Sequence, residues 1–113
     1  MNDSGTDVTA LRGYLLTVAS GLGVGLESCT LDVDAPVSAY LALDHKVAAY
    51  PERDVALLWN ERGGWSIAVE THSGEDLIVV ADLGTDDVAP PADQVGAFVQ
   101  QHCADRSRLS NVA

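Results

Sequence analysis

Alternation of apolar and polar positions predicts β-strands through the middle of the chain. Residues 54–60, 65–71 and 76–83 are rich in β-branched, aromatic and aliphatic side chains, and short glycine-containing segments separate them. Because glycine adopts positive φ at little steric cost, Gly63-Gly64 and Ser73-Gly74 are typical of tight antiparallel turns. Two further strands are predicted at 26–33 and 37–43. Short connections favour pairing in sequence order, so we expect five strands in a meander.

Apolar residues at helical spacing flank these strands. The first helix is capped by Asp7 or Thr9 and ended by Gly21, Gly23 and Gly25. Its apolar positions are Val8, Leu11, Leu15, Val18, Ala19 and Leu22. A last helix begins near Pro91, a residue suited to a first helical turn. Its apolar stripe consists of Val95, Phe98, Val99, His102 and Cys103.

The fold class predicted from this order is α+β, a five-stranded antiparallel meander flanked by an N-terminal and a C-terminal helix. Length and the 47% hydrophobic content favour one domain over residues 1–113, with disordered tails at 1–6 and 106–113. Whether both helices cover one sheet face, or one helix covers each face, stays open at this point.

The two predicted turns also determine a strand register. A two-residue turn at Ser73-Gly74 pairs Val69 with Ile78 and Ile67 with Val80. In the other hairpin, placing either Asn60 or Arg62 opposite Trp65 puts Ala56 and Leu58 on the face of Ile67 and Val69. The opposite face then carries Leu57, Trp59, Leu77 and Val79.

That second face is too apolar for a sheet that faces water. A helix of the same chain, a second copy or another protein is therefore expected to cover it. Leu57, Trp59, Leu77 and Val79 are the candidate protein-contact residues, because aromatic and aliphatic side chains anchor interfaces. The alternative is that Trp59 and Trp65 belong to the core.

The charge of the chain narrows the choice of partner. There are 17 acidic residues against 6 Lys and Arg, and no Lys or Arg lies between Gly63 and Asp105. Such a chain repels phosphates and anionic lipids, so we expect neither direct nucleic-acid binding nor membrane binding. The acidic surface favours a basic partner protein or imitates the charge of DNA, whereas a homodimer is expected through the second sheet face. The simplest alternative is that the charge maintains solubility.

The sequence shows no targeting signal that we can identify, and its cysteines suit a reducing compartment, so we expect a cytoplasmic protein. No apolar run is long enough to span a membrane, and no basic, apolar leader is seen. Cys29 and Cys103 are far apart and lack metal-ligand spacing, which favours free thiols over a disulfide.

Glu70, His72 and Glu75 form the best candidate for chemistry, around the second turn. A carboxylate beside an imidazole raises its pKa and can produce a general base or part of a metal site. The alternative is a polar hairpin tip with a cross-strand hydrogen bond. His45, Lys46 and Arg53 can likewise be read as an anion site or as a solvated loop. No cofactor, resident metal or catalytic set is predicted.

Several motifs resemble a known family. They are Gly13-Tyr14-Leu15-Leu16, Gly23-Val24-Gly25-Leu26-Glu27-Ser28-Cys29, the run from Asp54 to Glu61, Gly64-Trp65, and the run from Val69 to Leu77. Together they resemble a family of small actinobacterial domains of unknown function, from about Leu11 to Val99. The resemblance implies a stand-alone, cytoplasmic bacterial domain and transfers no activity.

The function expected from the sequence is therefore a non-enzymatic protein-binding or assembly module. It would act through an apolar sheet face and an acidic surface. The alternatives are a small-molecule or catalytic site around Glu70, His72 and Glu75, and an acidic inhibitor that mimics DNA.

Overall fold

The computed structural model describes residues 8–34, 36–71 and 76–105. Its elements in chain order are α1 (Val8–Gly21), a 3-10 turn (Leu26–Ser28), β1 (Cys29–Asp32), β2 (Ser38–Leu43), β3 (His45–Lys46), β4 (Val55–Asn60), β5 (Gly64–Glu70), β6 (Leu77–Asp82), α2 (Ala92–His102) and β7 (Ala104–Asp105). The predicted tails at 1–6 and 106–113 lie outside the described residues. In the described part of the chain, no helix is long and apolar enough to cross a membrane.

Five antiparallel strands form the main sheet, in the order β1-β2-β4-β5-β6. The predicted α+β fold, with a meander flanked by two helices, is thereby confirmed. A second, two-stranded sheet of β3 and β7 was not predicted, since residues 44–53 read as a loop. Two-residue strands are too short to produce an alternating pattern, so the sequence contains no signal for them.

Both helices cover the same face of the main sheet. Leu15 and Val18 of α1 and Val95 and Val99 of α2 belong to one buried cluster with the inward-facing strand residues. A Schellman motif ends α1, with Gly23 at φ +72° and the Val24 N–H bonded to the Ala19 carbonyl. Both described helices therefore lie on one face of the sheet, and neither of them lies over the second, uncovered face.

The register of the first central hairpin differs from the prediction. Trp59 lies opposite Trp65, and Asn60 lies opposite Gly64. The connection is a three-residue loop in which Asn60 Oδ1 accepts hydrogen bonds from the Arg62 and Gly63 N–H groups, and Gly64 has a φ of +76°. A left-handed residue after a three-residue loop is a common hairpin closure.

This one-residue difference exchanges the two faces of β4. Leu57 lies opposite Ile67 and Trp59 opposite Trp65, so both belong to the helix-covered core. Ala56 and Leu58 lie on the other face, opposite Ala68 and Ser66. The sequence predicted that Leu57 and Trp59 lie on the other face of the sheet from Ile67 and Val69. That prediction was wrong, because a register shift of one residue moves every side chain of the strand to the opposite face.

The second hairpin matches the predicted register as far as a β-bulge. Val69 lies opposite Ile78, as predicted, and Ala68 lies opposite Val79. The register then shifts by one residue, so Ile67 faces Ala81 and the predicted partner Val80 is the extra residue of the bulge.

Hydrogen bonds of the two indole groups connect the sheet to α1 and to the segment between β6 and α2. Trp65 Nε1 donates to the Tyr14 hydroxyl at 2.9 Å, and that hydroxyl donates to the Pro90 carbonyl. Trp59 Nε1 donates to the Val88 carbonyl at 2.7 Å. Each buried indole therefore has a partner, as the cost of an unpaired polar group demands.

Candidate functional site

Two of the four predicted contact residues are inaccessible. Leu57 is 0% exposed and Trp59 is 3% exposed, both beneath the helices. Leu77 and Val79 are exposed, and the pairing of β5 with β6 places them on the uncovered face. The predicted patch is therefore split, and only its β6 part lies on the surface. Leu57 and Trp59 are buried because the register of β4 differs from the predicted one. Leu77 and Val79 lie on the face where they were predicted.

The edge strand β6 has an apolar surface on both of its faces. Leu77 and Ile78 are each 40% exposed, and Val79 is 52% exposed. Ile78 lies opposite Val69 and so points to the helix side, whereas Leu77 and Val79 point to the uncovered side. Alternation along the strand places Ile78 on the core face but does not reveal its exposure, which arises because an edge strand has a neighbouring strand on one side only.

Main-chain groups of β6 are available on its outer side. The Thr71 N–H donates to the main-chain carbonyl of Asp76 at 3.1 Å, so the main-chain N–H and carbonyl of Asp76 point towards β5. Along an antiparallel edge strand these groups point alternately inwards and outwards. The N–H and carbonyl of Leu77 and of Val79 therefore point away from the sheet, and no strand in the described ranges pairs with β6 on that side.

Acidic side chains bracket this strand. Asp76 precedes β6 and Asp82 ends it, and both are exposed. Asp86 and Asp87 follow on the connection to α2 and are exposed as well. The exposed edge thus presents three consecutive apolar residues between negative charges.

The uncovered face also carries a polar cluster that includes the predicted residue Glu70. The Tyr40 hydroxyl donates to Glu70 Oε2 at 3.1 Å across the buried side chain of Ala56. Burial, followed by the hydrogen bond to Glu70 and the charges of Glu70 and Asp54, raises the pKa of Tyr40. The phenol therefore stays protonated at neutral pH and serves as a hydrogen-bond donor. The other predicted members, His72 and Glu75, lie outside the described residues, so that site stays a prediction.

Of the three residues predicted as an anion site, Lys46 and Arg53 have protein partners, whereas His45 Nδ1 is buried without a hydrogen-bond partner in the described part of the chain. Lys46 Nζ lies 3.4 Å from Asp54 Oδ1 and 3.2 Å from the Arg53 carbonyl. The Arg53 guanidinium donates to the Glu70 carbonyl at 3.0 Å. These contacts fasten the loop before β4 to the end of β5, and they do not converge on a common point.

Neither cysteine is placed for nucleophilic chemistry. Both are free thiols, as expected. Burial raises the pKa of Cys103 to about 11, and burial together with the charge of Glu27 raises the pKa of Cys29. Both thiols are therefore protonated at neutral pH, when a thiolate is the reactive form. Over residues 8–34, 36–71 and 76–105, no three His, Cys, Asp or Glu residues gather as metal ligands do.

Comparison with known proteins identifies a family without a known activity. The model of a family of unknown function, DUF6292, matches residues 14–101, from within α1 to the last turn of α2. No curated protein and no solved structure matches the chain. The match confirms the predicted resemblance to a domain family of unknown function. The actinobacterial origin stays a prediction.

Proposed function

Because the chain belongs to DUF6292, a family of unknown function, we propose a function from its surface: it is a non-enzymatic module that binds a basic partner protein. The partner contributes an extended segment that pairs with β6 and lengthens the main sheet. Strand addition of this kind takes its affinity from main-chain hydrogen bonds and its specificity from alternate side chains.

The observation that carries this proposal is the apolar edge of β6. Natural edge strands are usually protected by charged side chains, proline or very short length. In β6 three consecutive residues, Leu77 to Val79, are large, apolar and exposed. Three consecutive residues of this kind beside outward-pointing main-chain groups offer an added strand both hydrogen bonds and apolar contacts.

Charge selects the kind of segment that fits. Lys or Arg at the two ends of an added strand would meet Asp76 and Asp82, while apolar residues between them would cover Leu77 and Val79. A second copy is disfavoured, since antiparallel pairing centred on Val79 places Asp76 opposite Asp82 at both ends. Like charges directly opposite each other destabilise a strand pair. We therefore favour a basic partner over the homodimer.

The test uses an extended peptide with lysines at both ends and alternating valine and threonine between them. Titrated into the isotope-labelled chain, it should shift the NMR signals of the β6 amides, and a peptide with glutamates at both ends should bind at least about tenfold more weakly. Val79→Lys should abolish binding. Val33→Lys is the matched control, because Val33 is also 52% exposed and lies outside β6.

Three results would overturn the proposal. One is equal binding of the lysine and glutamate peptides, and another is equal loss of binding in Val79→Lys and Val33→Lys. The third is a stable dimer of the chain, seen by sedimentation, that Val79→Lys dissociates, since the occupant of the edge would then be a second copy.

The resemblance noted in the sequence supports two further parts of the proposal, an actinobacterial origin and a cytoplasmic location. The alternatives, a small-molecule site around Glu70, His72 and Glu75 and an acidic mimic of DNA, remain hypotheses. Loss of peptide binding in Val79→Lys would be unexpected for either of them, because neither depends on β6.

A further inference from the structure

A cavity of about 350 Å³ lies between α1 and the first two strands. On the helix side it is lined by Arg12, Leu15 and Leu16, which share one face of α1 because their spacing is three and four residues. On the sheet side it is lined by Thr30 and by two cross-strand pairs, Cys29 with Leu41 and Leu31 with Ala39. The walls are therefore mostly aliphatic.

Two small side chains contribute to the sheet side of the cavity. Ala39 and Cys29 are the short members of the two cross-strand pairs, and β1 is a four-residue strand at the edge of the sheet. The cavity is open to solvent where Arg12, Leu16 and Thr30 on its walls are exposed. A water molecule takes up about 30 Å³ of liquid, so this cavity has room for roughly a dozen non-hydrogen atoms.

Arg12 is the one charged residue among the described residues that line the cavity. Its side chain is exposed, and within the described ranges no hydrogen bond or ion pair involves it. Lys46 and Arg53, by contrast, both have protein partners. A guanidinium beside an aliphatic cavity is suited to a ligand that has an apolar body and a planar anionic group.

We propose that this cavity binds a medium-chain aliphatic monocarboxylate, with its chain against Leu15 and Leu41 and its carboxylate paired with Arg12. A single negative charge fits better than two or more, because the net charge of −11 repels multiply charged anions and one guanidinium neutralises one carboxylate. The size of the cavity matches a chain of octanoate length and excludes full burial of palmitate. This site is separate from β6 and does not depend on the proposed partner.

The test titrates octanoate into the isotope-labelled full chain and follows amide signals by NMR. We expect saturable shifts at Leu16, Cys29 and Leu31, and about tenfold weaker binding in Arg12→Gln. Arg62→Gln is the matched control, because Arg62 is an exposed arginine on the β4–β5 loop and its loss changes the net charge equally. Octanol, which has the same chain and no charge, should bind the wild type about tenfold more weakly than octanoate does.

A second measurement tests the apolar wall without removing a core residue. Leu16 is 43% exposed, so Leu16→Ser should leave the fold intact while reducing octanoate affinity about threefold. In a Cys103→Ala background, saturating octanoate should slow alkylation of Cys29, the one remaining thiol. Val79→Lys should bind octanoate as the wild type does, which separates this proposal from the one on β6.

The proposal is overturned if octanoate produces no saturable shifts around the cavity. Equal effects of Arg12→Gln and Arg62→Gln would also overturn it, because the carboxylate would then have no specific partner. Equal affinities for octanol and octanoate would lead to the same conclusion.

Discussion

Replacing Leu57 or Leu58 with alanine distinguishes the two possible registers of β4. In the structure Leu57 is fully buried between Leu41 and Ile67, whereas Leu58 is half-buried on the uncovered face. In the register expected from the sequence, the two leucines exchange these environments. Adjacent residues of identical chemistry therefore provide a matched pair.

The expected magnitudes follow from burial. Leu→Ala removes three carbons, whose transfer from water contributes about 0.8 kcal/mol each, and the cavity left behind adds about 1 kcal/mol. Leu57→Ala should therefore lower the free energy of unfolding by about 3–4 kcal/mol. Leu58 keeps part of its surface in water and has no helix above it, so Leu58→Ala should lower it by about 1 kcal/mol.

Urea denaturation followed by circular dichroism measures both values. With a slope of about 2 kcal/mol per molar urea, Leu57→Ala should lower the midpoint by about 1.5–2 M, and Leu58→Ala by about 0.5 M. The slope itself should not change, because neither substitution alters the surface exposed on unfolding. Refutation is simple, since a loss from Leu58→Ala equal to or larger than that from Leu57→Ala would reject the register described above.

Two further predictions concern backbone conformation and pH. Gly64→Ala should lower the free energy of unfolding by about 1–2 kcal/mol, because Gly64 has a φ of +76° and an added Cβ lies 3.4 Å from Val88 Cα. Gly13→Ala in α1 should instead raise the free energy of unfolding by up to about 1 kcal/mol, since alanine favours a helix more than glycine does. Equal effects at the two glycines would contradict this. The second concerns Cys103, whose pKa is raised to about 11 by burial, whereas an unfolded thiol titrates near about 8.5. The unfolded chain loses the Cys103 proton at lower pH than the folded chain does, so the free energy of unfolding should decrease as pH rises from about 8.5 to about 11. In urea titrations Cys103→Ala should show a shallower decrease. An identical pH dependence of the variant and the wild type would contradict this prediction.

The architecture was predictable from the sequence because each of its main elements has a local signal. The five strands alternate or contain β-branched runs, and the two helices have apolar residues at a spacing of three and four. Gly23 and Pro91 stand at the ends of helices, where their backbone preferences suit them. Agreement between these local signals and the tertiary fold is what allowed the element order to be predicted.

The faces of β4 were not predictable in the same way. Ala56-Leu57-Leu58-Trp59 is apolar at every position, so alternation does not indicate which residues point inwards. The register then depends on the hairpin loop, where Gly63 and Gly64 allow two- and three-residue closures. The cavity between α1 and the first two strands was not predictable for another reason. It depends on the distance between a helix and a sheet, and the spacing of residues along the chain does not determine that distance.

The position of α2 after all five strands affects how the domain forms during synthesis. The meander is built from neighbouring segments and can pair as it leaves the ribosome, but half of its helix layer arrives only with residues 92–102. Until then the face that carries Trp59 and Trp65 remains incompletely covered. Before α2 is synthesised, the nascent chain therefore exposes its most apolar surface, and a chaperone or a second nascent chain can bind that surface during this interval.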